Sequence, residues 1–148
     1  MLNSFNIIKN NKKNLKIIDN IHLSYEERFI RRKKMSSDEG IAFFVNLKET
    51  ISLEENNYFE LDNGNLIKVL SKEENLIEIT GDNLKQIIWH IGNRHLPCQI
   101  EEKRILIQDD AIILDMVLKL HGNAKKVIEK FNPEGGAYGM GRTHSHKH

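Results

Sequence analysis

Apolar positions in the first half of the chain come in short runs without a helical period. Phe5-Asn6-Ile7-Ile8 and Leu15-Lys16-Ile17-Ile18 are brief runs separated by Asn and Lys, and Ile41 to Leu47 is rich in strand formers behind Gly40. Tyr58 to Leu61 and Leu66 to Leu70 flank the step Asp62-Asn63-Gly64-Asn65. That arrangement predicts a hairpin, because an Asn-Gly pair supplies the positive φ angles of a tight turn. Nothing before residue 75 repeats every 3.6 residues, so this part reads as a small all-β unit, a barrel or a sandwich.

The pattern then changes. Leu76 to Ile79 is a strand, and Asp82 stands where an N-cap belongs. Leu84, Ile87, Ile88 and Ile91 fall at i, i+3, i+4 and i+7, one apolar face of a helix. Gly92-Asn93 is the expected stop, and Pro97 keeps the helix from resuming. Cys98 to Ile100 and Ile105 to Ile107 read as strands joined by the charged turn Glu101 to Arg104. Asp109 or Asp110 caps a second helix carrying Ile113, Met116, Val117 and Leu120, with Gly122 as its stop and a last strand around Val127 to Phe131.

The order strand, helix, strand, strand, helix, strand is the split βαβ, or ferredoxin-like, arrangement. The expected fold class is therefore α+β, with an N-terminal β domain over 1–73, a ferredoxin-like domain over 74–133 and a flexible glycine- and histidine-bearing tail over 134–148. A charged stretch, Ser71 to Asn75, marks the boundary.

Composition narrows the function classes. The 148 residues carry 22 Lys and Arg against 21 Asp and Glu, a formal charge of +1. So neutral a chain lacks the global field of a general nucleic-acid binder. One cysteine excludes an intrachain disulfide and a multi-thiolate zinc site, and it suits a reducing cytosol. No apolar run approaches the roughly 18 residues of a membrane span, and the Asn- and Lys-rich start does not resemble a signal peptide. A cytoplasmic protein with no membrane or nucleic-acid partner is the expectation.

Histidine is distributed unevenly. Of seven, three stand at alternate positions at the end, His144, His146 and His148, behind Gly135, Gly136, Gly139 and Gly141. Alternate side chains of an extended chain lie about 7 Å apart, so such a segment must curl before its imidazoles share an ion. Imidazole suits nickel, zinc and copper and serves calcium or magnesium poorly. A His-bearing tract of this kind reads as metal binding. His95 follows a helix stop and precedes Leu96-Pro97, where a side chain can project as a metal ligand, a general base or a plain loop residue. His90, on the rim of the apolar stripe, reads as a packed structural histidine, and Arg94 argues against a cation site unless it turns away.

Other signals are weaker. Gly136 to Thr143 approaches phosphate-loop spacing, but no strand precedes it and no helix can follow. Cys98, opening an apolar strand, reads as a small buried hydrophobe. Asp109-Asp110 is explained by capping. No base, nucleophile and orienting acid share a spacing that supports catalysis, so no catalytic residue is expected and the chain is not read as an enzyme. The basic run Arg28 to Lys34 is a solvated edge strand, or else a contact for a peptide or nucleic acid.

The segment Trp89-His90-Ile91-Gly92-Asn93-Arg94-His95-Leu96-Pro97 resembles the signature turn of the urease accessory protein UreE family. Gly135-Gly136-Ala137-Tyr138 ahead of a histidine tail is similar to that family's C-terminal end, and Arg32 to Met35, Asp38 to Gly40 and the Ile41 strand are similar to its N-terminal domain. The resemblance covers nearly the whole chain. It implies a peptide-binding-like β domain, a ferredoxin-like metal domain and a homodimer in which His95 meets its symmetry mate and holds nickel. It further implies delivery of that nickel to the apo-urease assembly complex by way of an accessory GTPase. Some members carry extra histidines where this chain has Gln108 to Ala111; here auxiliary binding falls to His144, His146 and His148, with zinc or copper as further ions.

Overall fold

In the computed structural model, which describes residues 1–135, the chain divides after Lys72 into two units. The first contains β1 (Leu2–Ile8), β2 (Ile17–Leu23), β3 (Phe29–Ser36), β4 (Ala42–Ser52), β5 (Tyr58–Leu61) and β6 (Leu66–Ser71). They form one sheet in the order β2-β6-β5-β1-β4-β3. The pairs β1–β4 and β2–β6 are parallel and the other neighbours antiparallel. Alternate residues of every strand beyond β1 enter one core, among them Ile21, Ile30, Val45, Phe59 and Val69. At its centre Phe43 and Phe59 meet with ring centroids 5.2 Å apart.

The expected hairpin is β5–β6, closed by the Leu61 N–H donating to the Asn65 carbonyl, with Gly64 at φ 87°. β2 runs beyond the apolar run Leu15 to Ile18, continuing through Ile21-His22-Leu23, which alternates buried, exposed, buried. The free side of β2 is occupied by Asp38. Its N–H donates to the Asn20 carbonyl at 2.9 Å, and its carboxylate accepts from the His22 N–H at 3.1 Å and meets His22 Nδ1 at 2.5 Å. Arg28 does not belong to the solvated basic run. It precedes β3 and is 2% exposed, with Nη1 donating to the Leu23 carbonyl and its guanidinium 5.8 Å from the Tyr25 ring centroid.

The second unit contains β7 (Glu73–Thr80), α1 (Leu84–Asn93), β8 (Gln99–Ile100), β9 (Ile105–Gln108), α2 (Ala111–Lys119) and β10 (Asn123–Lys130). Its sheet order is β10-β7-β9-β8 with every neighbour antiparallel, which is the split βαβ topology. Ile77, Ile79, Ile105 and Ile107 of the sheet pack with Ile87, Ile91, Ile113 and Val117 of the helices in one cluster. On the opposite face Arg104 joins three elements, donating to Glu78 of β7 and Glu129 of β10 at 2.8 Å and to Glu101 of the β8–β9 turn at 3.1 Å. No helix among the described residues is long and apolar enough to cross a membrane.

The helix ends depart from the sequence reading in three places. Asn83, not Asp82, is the N-cap of α1, and it makes no side-chain cap bond. Its amide instead donates to the Leu120 carbonyl at the far end of α2, a long-range bond that local spacing cannot reveal. Asp110 does cap α2, accepting from the Ile112 and Ile113 N–H groups. Gly122 serves space rather than a positive φ. A Cβ there would stand 2.7 Å from Ile87 Cδ1 and 2.9 Å from Val117 Cγ1, so only glycine lets the chain pass between the helices. The third departure lies at the end of α1.

Candidate metal centre

Apolar residues at helical spacing hold α1 against the sheet through Ile87 and Ile91, both fully buried. The helix continues through Gly92 and Asn93, the pair expected to stop it, and ends at Arg94. The stop is His95 itself, in the left-handed region at φ 56°. Its N–H donates to the Gly92 carbonyl at 3.0 Å, and the Leu96 N–H reaches the Ile91 carbonyl at 3.5 Å. Those two bonds make a Schellman motif, in which the left-handed position usually belongs to glycine. Leu96 folds back onto the cluster that holds Ile91, completing the apolar contact of the motif. An exposed imidazole thus rides on a turn fixed from both sides, by hydrogen bonds behind it and by a half-buried leucine ahead.

The neighbours sharpen the chemistry. Arg94 turns back along the helix, its Nη1 donating to the His90 carbonyl at 3.0 Å. Its charge is spent on the last turn, where cations suit the helix dipole. His90 stacks edge-on against Trp89, with ring centroids 5.0 Å apart, and is half-buried. Cys98 packs partly into the core. Burial, with the Glu134 carboxylate adding to it, pushes the Cys98 thiol up to about 12. A thiol held protonated to that degree is a poor metal ligand at neutral pH, since the thiolate is the binding form.

Beyond β10 the chain returns to the same neighbourhood. The Asn132 N–H donates to Gln99 Oε1 at 2.8 Å, and the Glu134 N–H donates to the Cys98 carbonyl at 2.9 Å. Cys98 is three residues from His95, at most about 11 Å of chain. The described chain therefore ends beside the His95 turn. Sequence spacing gave no sign of this return. Its only trace was Gln99, a polar residue in an apolar strand.

His144, His146 and His148 lie outside the described residues. Among the described residues no three His, Cys, Asp or Glu side chains converge as a metal site would require. His121 ends α2 as His95 ends α1, at φ 63°, with its N–H on the Leu118 carbonyl and the Gly122 N–H on the Val117 carbonyl. The exposed cations Arg31, Arg32, Lys33 and Lys34 lie in the other unit, on β3 at an edge of its sheet.

Comparison with known proteins bears on both units. The family described as "UreE urease accessory protein, N-terminal domain" matches residues 6–72, and the one described as "UreE urease accessory protein, C-terminal domain" matches residues 74–148. A urease accessory protein UreE of Ruegeria pomeroyi is 50% identical over 130 residues, covering 88% of this chain and 87% of the relative. Proteins of the same name from another Ruegeria and from Cereibacter sphaeroides are each 46% identical, covering 85% and 86% of this chain and 72% and 70% of the relatives.

Proposed function

The chain belongs to the UreE urease accessory protein family, and on that footing we propose that it is a metallochaperone that carries nickel for the maturation of urease. It is an accessory protein and not an enzyme. The observation that carries the nickel reading is the placement of His95, an exposed imidazole on a rigid turn with the arginine beside it turned away.

One imidazole does not hold an ion. A homodimer formed through the second unit supplies a second His95 without further sequence, because a two-fold axis duplicates every residue near it. The remaining ligands are His144, His146 and His148. His144 stands nine positions beyond Gly135, a span of up to about 30 Å when extended. A tail that leaves beside Cys98 has reach to spare. An all-imidazole set binds nickel, and zinc or copper in its place, yet gives up the ion more readily than a thiolate cage. Reversible holding is what a carrier needs. Cargo passes to the apo-urease assembly complex by way of the accessory GTPase, in the cytoplasm.

Calorimetry and native mass spectrometry with added nickel test this reading. Wild-type protein should bind nickel tightly as a dimer, and affinity should fall steeply in acid, because protons compete with the ion for imidazole ligands. His95→Ala should remove the tight site and leave the dimer intact. A tight site unchanged in His95→Ala overturns the assignment.

A further inference from the structure

One charge in the stretch that returns from β10 to Cys98 has no part in holding the fold. Glu134 is fixed by its backbone, its N–H donating to the Cys98 carbonyl at 2.9 Å, and Pro133 restricts the chain before it. Its side chain is exposed and forms no ion pair among the described residues. The neighbouring carboxylates are engaged: Glu78, Glu101 and Glu129 meet Arg104, and Asp110 caps α2. The charge of Glu134 is felt locally all the same, since it adds to the burial that keeps the Cys98 thiol protonated.

The charges around His95 are otherwise of one sign. A nickel ion held by imidazoles alone keeps its full double charge, because the ligating form of histidine is neutral. Arg94 adjoins His95, and beyond β10 the sequence carries two basic residues, Arg142 and Lys147, against a single acidic one, Glu134. Without Glu134, the ion, the tail that closes on it and Arg94 would all be positive. Cys98 lies at most about 11 Å of chain from His95, and Glu134 lies one hydrogen bond beyond. Its carboxylate therefore stands well inside the roughly 30 Å screening length of 10 mM salt.

We infer that Glu134 is the counter-charge of the nickel site, a fixed carboxylate that strengthens the hold on the ion through space without ligating it. The inference rests on the nickel reading and deepens it. A unit charge about 10 Å from a dication in water changes its affinity roughly fourfold before screening, and a two-fold axis supplies the carboxylate twice. Such an effect carries two marks that a packing role lacks. It grows with the charge of the ion, and it fades as salt shortens the screening length.

The experiment is calorimetric titration of the full chain with nickel(II) and with silver(I), a monovalent ion that imidazole also binds, in nitrate salts. Glu134→Gln keeps the backbone N–H and the size of the side chain. It should weaken nickel at least threefold in 10 mM salt, weaken silver by about the square root of that factor, and lose its effect in 1 M salt. Glu134→Lys should weaken nickel by about the square of the factor. Glu102→Gln removes equal charge from the turn beyond β8 and should stay within twofold of wild type, with thermal melting confirming that each variant is folded. A nickel loss below threefold in Glu134→Gln, equal losses for the two ions, a loss that persists in 1 M salt, or an equal loss in Glu102→Gln each overturns the inference. Wild-type protein that binds no nickel overturns the nickel reading itself. Loss of nickel in His95→Ala beside an unchanged Glu134→Gln overturns the counter-charge alone.

Discussion

His95 and His121 hold the same station on two helices, each the first left-handed residue past a helix end, at φ 56° and 63°, each closing a Schellman motif. A side chain in that conformation costs roughly 1 kcal/mol relative to glycine. Strain alone therefore does not mark a functional residue, since the chain tolerates it twice. The difference lies in surroundings: the segment after β10 returns to Cys98 near His95, whereas His121 is followed by Gly122 and the start of β10.

Glycine at either position should relieve the strain. We expect His121→Gly and His95→Gly each to stabilise the protein by about 1 kcal/mol in denaturant unfolding. Only the second should lose nickel. A His121→Gly variant that loses the tight nickel site would show that the two stations share the cargo.

Gly122 should tolerate no side chain. Ala at 122 puts a Cβ within 2.7 Å of Ile87 Cδ1, and overpacking of this kind costs about 1–3 kcal/mol. Removing that methyl with Ile87→Val in the Gly122→Ala background should recover part of the loss. Unfolding curves for the two single variants and the double variant form the check. Additive losses would mean that the contact does not limit the packing.

Cys98 sets an alkaline dependence. Its thiol is raised from 9.0 to about 12, so the folded state holds the proton where the unfolded state has released it. The resulting contribution to stability is full below about pH 9 and is lost as pH rises toward about 12. Between pH 9 and 11 wild-type protein should lose more stability than Cys98→Ala. Parallel pH profiles would contradict the burial argument. Nickel added at pH 7 should give no thiolate charge-transfer absorption.

The tail and its anchor should separate in their effects. Truncation after Gly141 removes His144, His146 and His148 and should lower the number of nickel ions bound per chain. Gln99→Ala frees the Asn132 N–H from its acceptor and should leave the count unchanged while weakening binding a few-fold, because a looser exit dilutes the tail around His95. Calorimetry reports both quantities. An unchanged count after truncation would remove the tail from the ligand set.

Much of the fold was written locally. The stripe Leu84, Ile87, Ile88, Ile91 and the Asn63-Gly64 step each need only their own few residues to specify a helix or a turn, and both are present. The failures share one cause. Asn83 caps α1 without a side-chain cap bond, and its amide is engaged by Leu120, 37 residues away, which no local pattern shows. Gly92-Asn93 looked like a stop because glycine there is the common case, and a histidine in the left-handed position leaves no compositional trace. Arg28 looked solvated among other cations, while its burial depends on Leu23 and Tyr25 across a turn. For the candidate site, sequence points to His95 as a candidate but not to the return of the chain to Cys98, which rests on two hydrogen bonds between distant segments.

The ladder between β7 and β10 sets the order of events when the protein is made. It pairs Thr80 with Asn123 and Glu73 with Lys130, joining the first strand of the second unit to its last across at least 43 residues. Central β7 thus waits for nearly the whole unit, and closing so long a loop slows assembly. During synthesis Ile77 and Ile79 stay without that partner strand until Asn123 to Lys130 have left the ribosome. The first unit completes its own sheet at Ser71, with none of the later chain required. Folding from the N-terminal end shortens the time for which both apolar surfaces are bare, and it leaves the nascent β7 as the segment most exposed to aggregation.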